Sequence, residues 1–456
     1  MTNGKDLAHE TIQVILTAQD TGARLARQED LHFVPDESGQ ELMLINVYPD
    51  VAYQEIEGFG GAFTEASAYT LSRISPDLRQ AVINAYFDPA TGLGYSLCRT
   101  HINSCDFSLG NYDYTSRAGD VGLETFSIAH DQELLIPLIR SALLAKGSAI
   151  KILASPWSPP AWMKTNNQMN QGGKLRPEFR RVWANYFCRY ISAYAQEGIP
   201  IWAVSVQNEP KATQTWDSCI FTAEDERDFV RDHLGPALER DGHGRVKILV
   251  WDHNKERVYE RAGVTLADPA AARYIWGVAV HWYSGDHFEG MDMTHERFPD
   301  KKLLFTEGCV EKGVHLGEWS AGERYAHDII GDVNHWAVGW IDWNMVLDEQ
   351  GGPNHVGNYC DAPIIADTQA NSLSYESSYY YMGHLSRYIQ PGARRIGWSR
   401  FTDRLEVTAA RNPDGEIAVV VMNQQDAAIP FAVRCEGKIA HVSSPPHSIM
   451  TLLYRL

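Results

Sequence analysis

The feature that most constrains this sequence is a series of eight short apolar segments, each followed by an amphipathic stretch or a long loop. Their continuous Val, Ile and Leu content, without strict alternation, is typical of strands covered on both faces, as in a parallel sheet. Eight such strands with helices between them predict an α/β protein built on a (β/α)₈ barrel, the TIM-barrel fold. The predicted strands span residues 55–63, 95–102, 149–157, 200–210, 246–254, 275–283, 302–308 and 338–346.

Residues 178–198 show the clearest helical pattern between these strands, with apolar side chains recurring at i, i+3 and i+4. Residues 131–147 and 223–242 are weaker helical candidates, because Pro137 and Pro236 interrupt their patterns.

The two ends of the chain differ from its middle. Residues 1–50 and the stretch after about residue 388 contain short β-type runs with turn signals, such as Asn-Pro-Asp-Gly at 412–415. We therefore expect a side β-sandwich formed by N- and C-terminal segments. The predicted boundaries are 1–50 for the N-terminal strands of the sandwich, 51–386 for the catalytic barrel and 387–456 for the C-terminal part of the sandwich.

Charge and cysteine content limit the partners and the location. The chain has 40 Lys and Arg against 58 Asp and Glu, a net charge of −18, which argues against nucleic acid and anionic membranes. No apolar run reaches transmembrane length, and the N-terminal residues lack the apolar core of a signal peptide. The seven cysteines are dispersed without a C-x-x-C pair, as in a reduced cytosolic protein. We expect a cytoplasmic protein of unspecified oligomeric state.

Polar and aromatic residues gather at the C-terminal ends of the predicted strands, where barrel enzymes carry their sites. Strand four is expected to end on Asn208 and Glu209, and strand seven on Glu307. Strands four and seven lie on roughly opposite sides of an eight-stranded ring, so the two carboxylates can face each other across its mouth. The other residues at or near strand ends are Arg99, His101, Asp106, Trp157, His281, Trp282, Tyr283, Asp342, Trp343 and Asn344.

A facing pair of carboxylates suits glycoside hydrolysis, in which one protonates the leaving oxygen and the other attacks or activates water. The proton donor needs a raised pKa while its partner stays ionised, and Arg99 is a candidate to hold the partner in its charged form. A single strand-end glutamate is more often part of an ordinary ion pair, and Trp157, Trp282 and Trp343 could be core residues. Glutamates on both strand four and strand seven favour a catalytic site.

Other chemistries are disfavoured. The segment GFGGAF at 58–63 lacks the third glycine and the Lys-[Ser/Thr] of a phosphate loop. The H-E-x-x-H motif is absent, and strand one lacks the H-x-H pair of metal-dependent barrel hydrolases. His101 and His281 are therefore expected to form hydrogen bonds rather than bind a metal. No G-x-S-x-G motif of a serine hydrolase is present.

Seven motifs in order resemble glycoside hydrolase family 30, with the closest likeness to its lysosomal acid β-glucosidase (glucocerebrosidase) branch. The motifs are GFGGAFTEASA, CDFS, ASPWSPPAWMKTN, WAVSVQNEP, AVHWY, FTEGCV and DWNMVLDEQGGPN, and the likeness runs from about residue 50 to the C-terminal β segment. The resemblance implies a (β/α)₈ barrel with a side β-sandwich, and retaining hydrolysis of a small-molecule or oligosaccharide β-glycoside without a metal or cofactor.

The resemblance also implies roles for individual residues. Glu209 matches the acid/base of the N-E-P motif, and Glu307 matches the nucleophile of the F-T-E-G motif. Arg99 and Tyr283 match residues beside the nucleophile, and Tyr283 is also counted with the substrate-binding residues. The other positions that match sugar-binding residues of the family are Asp106, Trp157, Asn208, Trp343 and Asn358.

Specificity stays open at this point. A β-glucosidase or glucosylceramidase-like activity is the first expectation, and β-1,6-glucanase, β-xylosidase and β-glucuronidase are the alternatives within the family. The loops 308–320 and 345–375 should shape the outer site, and Thr306-Glu307-Gly308-Cys309 replaces the Ser-Glu-Ala-Cys of the lysosomal branch. The alternative from another class is a non-catalytic carbohydrate-binding barrel, which would keep the aromatic residues and lose one carboxylate.

Overall fold

A closed eight-stranded barrel forms the centre of the computed structural model, which describes residues 11–455. Consecutive strands from one to seven pair in parallel. The predicted (β/α)₈ fold is confirmed, and each predicted strand has a counterpart. Barrel strands one to eight span Gly58–Phe63, Leu97–Ile102, Lys151–Pro156, Ala203–Ser205, Lys247–Asn254, Ile275–His281, Lys302–Glu307 and Ala337–Asn344.

Barrel strand four is shorter than predicted, since its regular pairing ends at Ser205. Beyond Ser205 the backbone makes only single hydrogen bonds to the adjacent strands. Asn208 N donates to Pro156 O at 2.8 Å, and Glu209 N donates to Asp252 O at 2.9 Å. Glu209 has a positive φ of 45°, which is unusual for a residue other than glycine. The expectation that strand four itself ends on Asn208 and Glu209 was therefore wrong, because regular pairing stops at Ser205 and only single backbone bonds continue to the turn at Glu209.

Helices separate successive barrel strands along the chain. The helix predicted at 178–198 is found at Arg180–Gln196, and Gly198 follows it with a φ of 77°. Its buried aromatic and aliphatic side chains are Trp183, Tyr186, Phe187, Tyr190, Ile191 and Tyr194. The helices of the described residues are Glu65–Ser72, Pro76–Phe87, Ala129–Glu133, Leu135–Lys146, Arg180–Gln196, Ala223–Phe229, Gly235–Arg240, Val258–Thr265, Pro269–Ala272, Phe288–Arg297, Trp319–Asn334 and Ser377–Ser386.

The two proline-containing helices differ from their predicted continuous spans. The stretch 131–147 falls in two helices, and Pro137 lies in the first turn of the second, where a missing N–H costs no helical bond. The stretch 223–242 is interrupted by a π turn at Val230–Leu234, directly before Pro236. Proline lacks the N–H for the bond to residue i−4 and its ring crowds the preceding turn, which accounts for the wider turn there.

Strands from both ends of the chain share one eleven-stranded sheet, as the predicted sandwich requires. Thr11–Ala18 pairs with Ser448–Tyr454, and Leu44–Glu55 lies between Arg394–Arg400 and Ile429–Cys435. The strands are Thr11–Ala18, Ala26–Arg27, Leu31–His32, Val34–Pro35, Leu44–Glu55, Arg394–Arg400, Leu405–Arg411, Ile417–Asn423, Ile429–Cys435, Lys438–Ser444 and Ser448–Tyr454. Residues 1–10 lie outside the described residues. They belong to the predicted N-terminal segment, in which the sequence showed no apolar core of a signal peptide.

The core of this sheet follows the period of two that a strand imposes. Alternate side chains of each strand enter one buried cluster, as Val419 and Val421 do in one strand and Met450 and Leu452 do in another. Because the side chains between them point the other way, the sheet presents one continuous apolar inner face, which is the pattern of a sandwich.

The chain divides into two compact units. One contains the residues up to Gly58 with Leu316–Gly339 and Tyr375 onward, and the other contains Phe59–His315 and Trp340–Ser374. A small three-stranded sheet is formed by Val346–Asp348, Ile364–Asp367 and Ser372–Tyr375. Within residues 11–455, no helix combines the length and apolar character that crossing a membrane requires.

Candidate active site

A cavity of about 250 Å³ lies at the C-terminal ends of the barrel strands. The structure brings every predicted site residue to it: all line the cavity except Arg99, which is buried and contacts Glu307. The lining residues are Asp106, Trp157, Asn208, Glu209, Gln214, Trp216, His253, Asn254, Tyr283, Glu307, Cys309, Glu311, Trp343, Asn358 and Cys360.

Glu307 is the last residue of barrel strand seven and is almost fully buried. Its Oε2 accepts from Arg99 Nη1 at 2.5 Å, and its Oε1 accepts from the Tyr283 hydroxyl at 3.0 Å. Burial raises the pKa of Glu307, and the charge of Glu209 adds to that rise against the opposing charges of His281 and Arg99. Both carboxylate oxygens are thus held by donors, and the group is fixed in position.

Arg99 joins Glu307 to the rest of the site from below the cavity. Its Nη2 donates to Asn208 Oδ1 and to Asp252 Oδ2, each at 2.8 Å, and its Nε donates to Ser155 Oγ at 3.1 Å. Because the amide oxygen of Asn208 is taken by Arg99, the amide NH₂ is the group that remains for the cavity.

Glu209 faces two imidazole rings. Its Oε1 lies 3.2 Å from His281 Nδ1 and 3.6 Å from His253 Nδ1. Burial raises the pKa of Glu209, but the hydrogen bond to His281 and the charges of both histidines outweigh burial and leave that pKa below its ordinary value. The expectation of a raised pKa on the proton donor was therefore wrong for the free protein, because the histidines stabilise the charge of Glu209, and Glu307 has the raised pKa instead. The same His281 nitrogen lies 4.0 Å from Glu307 Oε1, so a single ring atom stands between the two glutamates.

His281 is the positively charged member of this group. Burial lowers its pKa, but the carboxylates of Glu307, Asp252 and Glu209 outweigh burial and raise it to about 9. Both ring nitrogens therefore carry protons at neutral pH, with Nδ1 directed at Glu209 and Nε2 at Asp252 Oδ1, 3.1 Å away. The expectation that His281 forms hydrogen bonds agrees with these contacts, and His101 likewise bonds through both nitrogens, to Glu65 N and Asn103 O.

Asp252 connects the two sides of the site and was not predicted from the sequence. It is fully buried and accepts from Arg99, from His281 and from the hydroxyl of Thr306 at 2.6 Å. Burial opposes its charge, but Arg99 and His281 hold the pKa of Asp252 far below its usual range. A contiguous path of ion pairs and hydrogen bonds thus runs from Glu307 through Arg99, Asp252 and His281 to Glu209.

Asp106 lies in another part of the wall with two asparagines. Its Oδ2 accepts from Asn358 Nδ2 at 3.0 Å and from Asn354 Nδ2 at 3.3 Å. Burial raises the pKa of Asp106 to about 7, and the charges of Glu307 and Glu209 contribute to the rise while Asn358 opposes it. This carboxyl therefore titrates near neutral pH, at a position where a sugar hydroxyl can reach it.

Two of the three candidate tryptophans belong to the cavity. Trp157 and Trp343 stack on each other with centroids 4.9 Å apart and an interplanar angle of 16°, and Arg99 lies 4.7 Å from the centre of the Trp157 ring. Trp282 instead packs against Phe305 and Trp340 and does not line the cavity. All three are buried, so the core interpretation holds for each of them, and Trp157 and Trp343 border the cavity as well.

Several residues of the site were not predicted from the sequence. Asp252, His253 and Asn254 close barrel strand five, so inspecting the end of that strand as the others were inspected would have found them. Trp216 and Glu311 lie on loops beyond strands four and seven, where the sequence offers no comparable signal. Cys309 and Cys360 also line the cavity, with their sulfur atoms 3.2 Å apart.

Both parts of the chain match known protein families. Residues 56–389 match the glycosyl hydrolase family 30 TIM-barrel domain, and residues 392–452 match the glycosyl hydrolase family 30 beta sandwich domain. The chain belongs to glycosyl hydrolase family 30. It is a retaining enzyme that hydrolyses O-glycosyl bonds, and the non-catalytic alternative is set aside.

Family 30 relatives cover most of the chain. Lysosomal acid glucosylceramidase of Mus musculus is 37% identical over 433 residues, which are 91% of this chain and 84% of that protein. An endo-1,6-beta-D-glucanase of Neurospora crassa is 27% identical, over 84% of this chain and 81% of that protein. The crystal structure of SrfJ from Salmonella typhimurium matches with a TM-score of 0.94 and 40% identity, over 98% of this chain and all of that one.

Proposed function

We propose that this family 30 enzyme is a β-glucosidase that removes single glucose units from small β-glucosides by double displacement, with Glu307 as nucleophile and Glu209 as acid/base. The observation that carries the proposal is the pair of buried carboxylates at one cavity, each held by a different kind of partner. Retention requires such a pair, with one carboxylate attacking the anomeric carbon and the other serving first as acid and then as base.

Glu307 suits the role of nucleophile because its donors fix both oxygens. Arg99 and Tyr283 hold the carboxylate toward the cavity, so little reorientation precedes attack. The charge that Glu307 loses on forming the glycosyl-enzyme leaves Arg99 paired with Asp252, so no buried cation is stranded.

Glu209 suits the role of acid because a proton lies beside it on His281. In the free protein the two groups form an ion pair that titrates as a unit. A sugar that fills the cavity excludes water, and moving the proton from His281 to Glu209 then neutralises both groups, which a low dielectric favours. Glu209 donates that proton to the leaving oxygen, and afterwards removes a proton from the water that releases the sugar.

The remaining wall residues suit a neutral hexose. The amide NH₂ of Asn208 faces the cavity beside the nucleophile and supports the expected contact with the sugar 2-hydroxyl. Asp106 and Asn358 offer a carboxylate and an amide for further hydroxyls, and the stacked Trp157 and Trp343 form an apolar part of the wall.

Two features bear on specificity. Four carboxylates line the cavity (Asp106, Glu209, Glu307 and Glu311), whereas the residues assigned to its wall include neither lysine nor arginine. A β-glucuronidase would need a cation for the sugar carboxylate, so the wall opposes that alternative. The volume of about 250 Å³ falls below the roughly 300–1,000 Å³ of sites for drug-sized ligands, which supports recognition of one sugar at a time.

The test is a panel of 4-nitrophenyl β-glycosides followed by gentiobiose and a glucosylceramide. We expect the highest kcat/KM on the β-glucoside, little hydrolysis of the β-xyloside and none of the β-glucuronide. The second candidate is endo-1,6-glucanase activity, supported by the Neurospora crassa relative and by a solved endo-β1,6-glucanase of 29% identity and TM-score 0.88. Faster cleavage of internal bonds in a long β-1,6-glucan than of gentiobiose would favour that activity.

We also propose a cytoplasmic location. The support is that the seven cysteines are dispersed along the chain without a C-x-x-C pair. Cell fractionation with a C-terminally tagged chain checks this, and recovery in a secreted or membrane-enclosed fraction would contradict it.

A further inference from the structure

His253 lines the cavity but takes no part in the reaction proposed above. It follows Asp252 at the end of barrel strand five, and its ring lies against Trp251 with centroids 4.9 Å apart. Its Nδ1 is buried and has no hydrogen-bond partner within residues 11–455, although Glu209 Oε1 is 3.6 Å away. Buried ring nitrogens usually have a partner, so this one calls for an explanation.

The position of this nitrogen suits a tetrahedral metal ion. Glu209, His253 and His281 each offer one ligand atom, and the three atoms lie within 4.8 Å of one another. Glu209 Oε1 is 3.2 Å from His281 Nδ1 and 3.6 Å from His253 Nδ1. Ligands about 2.0–2.2 Å from a tetrahedral Zn²⁺ lie about 3.3–3.6 Å apart, so the two distances from Glu209 Oε1 are already close to this spacing.

The surroundings of His281 strengthen the case. Its second nitrogen, Nε2, lies 3.1 Å from Asp252 Oδ1, and Asp252 is itself held by Arg99 and Thr306. Histidines that bind metals almost always donate their other N–H to a carboxylate or carbonyl in this way, which fixes the ring and leaves the first nitrogen for the metal.

We propose that Glu209, His253 and His281 form a binding site for a divalent d-block cation such as Zn²⁺, and that the bound cation inhibits hydrolysis. The cation takes the carboxylate oxygen of Glu209 that must reach the glycosidic oxygen. Three protein ligands leave a fourth position open to the cavity, as in exchangeable zinc sites.

The ligand set also gives the site a preference among cations. Two imidazoles and one carboxylate suit Zn²⁺ and Cu²⁺, whereas Mg²⁺ and Ca²⁺ require six or more oxygen ligands. The four carboxylates of the cavity wall attract any cation, so Mg²⁺ serves as the control for charge alone.

Zinc binding is tested directly by isothermal titration of the full chain with ZnCl₂. We expect His253→Asn and the nearly isosteric Glu209→Gln to weaken the active-site binding at least about 100-fold, since changes even to outer-shell partners of metal ligands cost about 10- to 100-fold. His441→Asn, an exposed histidine of the sheet formed by the chain ends, is the matched control and should bind zinc as the wild type does. Unchanged binding by His253→Asn would overturn the site.

A second control addresses the neighbouring thiols, since Cys309 and Cys360 could also take zinc. Loss of zinc binding in Cys360→Ala, with retention in His253→Asn, would place the metal on sulfur and overturn the proposal. Co²⁺ gives an independent readout, because two nitrogens and one oxygen produce the ligand-field spectrum of a four-coordinate site without the intense charge-transfer band of thiolate ligation.

Inhibition is tested separately because it rests on the proposed role of Glu209. We expect Zn²⁺ to lower kcat/KM for gentiobiose, whose leaving oxygen needs the proton of Glu209, EDTA to restore it, Mg²⁺ to have no effect, and His253→Asn to lose most of the zinc response. His253-dependent zinc binding that leaves hydrolysis unchanged would retain the metal ligands and refute the acid/base role, so the two failures are distinguishable.

Discussion

The two glutamates of the cavity differ in what holds them. Glu307 accepts hydrogen bonds from a guanidinium and a phenol, which keep their protons near neutral pH, whereas Glu209 bonds to the imidazole of His281, which can exchange its proton. A nucleophile needs a fixed position and an acid/base needs a proton that moves. The two sides of one cavity therefore have the partners that their proposed roles require.

The largest expected effect comes from replacing Glu307, the glutamate that is fixed in position. Glu307→Gln keeps the shape of the side chain but removes its nucleophilic charge, and kcat should fall by about 10⁴-fold or more, the scale on which other enzymes respond to loss of a nucleophile. Hydrolysis of 4-nitrophenyl β-glucoside measures the loss, with thermal unfolding as the check on folding. Substantial residual turnover would refute the assignment.

The nature of the rescue product sharpens this test. In Glu307→Ala, added azide should attack the sugar from the vacated face and give the α-glucosyl azide. A β-azide from that variant would mean that Glu307 is not the nucleophile.

The second largest effect comes from replacing Glu209, the proposed acid/base, and its size depends on the leaving group of the substrate. Glu209→Ala should lower kcat/KM by about 10²- to 10⁴-fold on gentiobiose, whose alkoxide must be protonated as it leaves. The loss on 2,4-dinitrophenyl β-glucoside should be much smaller, because that phenolate departs without help. Azide should here give the β-azide by attack on the glycosyl-enzyme, and an equal loss on both substrates would argue against the acid role.

The sequence predicts features that one local stretch encodes, and it fails for features that depend on contacts between strands. Long apolar strands and the motifs around Glu209 and Glu307 are local in the sequence, so the barrel and both glutamates were found. Asp252 and His253 stand at the end of a predicted strand, but their roles arise from contacts with other strands, which no single stretch encodes. The turn at Glu209, with its positive φ, depends on a bond to the neighbouring strand, and so the end of strand four was misplaced.

A smaller effect on the fixed side comes from Tyr283. Tyr283→Phe removes one hydrogen bond to Glu307 and should cost about 1–1.5 kcal/mol, roughly tenfold in kcat/KM. Tyr112→Phe is the matched control, since its hydroxyl donates to Asp131 at 2.9 Å and neither residue lines the cavity. An equal loss in both variants would show that the effect of Tyr283 is on stability rather than on the nucleophile.

The smallest predicted effect concerns Asp106, a third carboxyl of the cavity. Its raised pKa of about 7 means that the folded protein keeps this proton until the pH rises through that value. The carboxylate formed above it accepts a stronger, charge-assisted bond from a sugar hydroxyl, so KM should fall about fivefold as the pH passes upward through 7. Asp106→Asn accepts equally at all pH values and should show a higher and flatter KM. A wild-type KM that does not change across this range, or an Asp106→Asn profile that follows the wild type, would show that Asp106 does not bind the sugar through its charge.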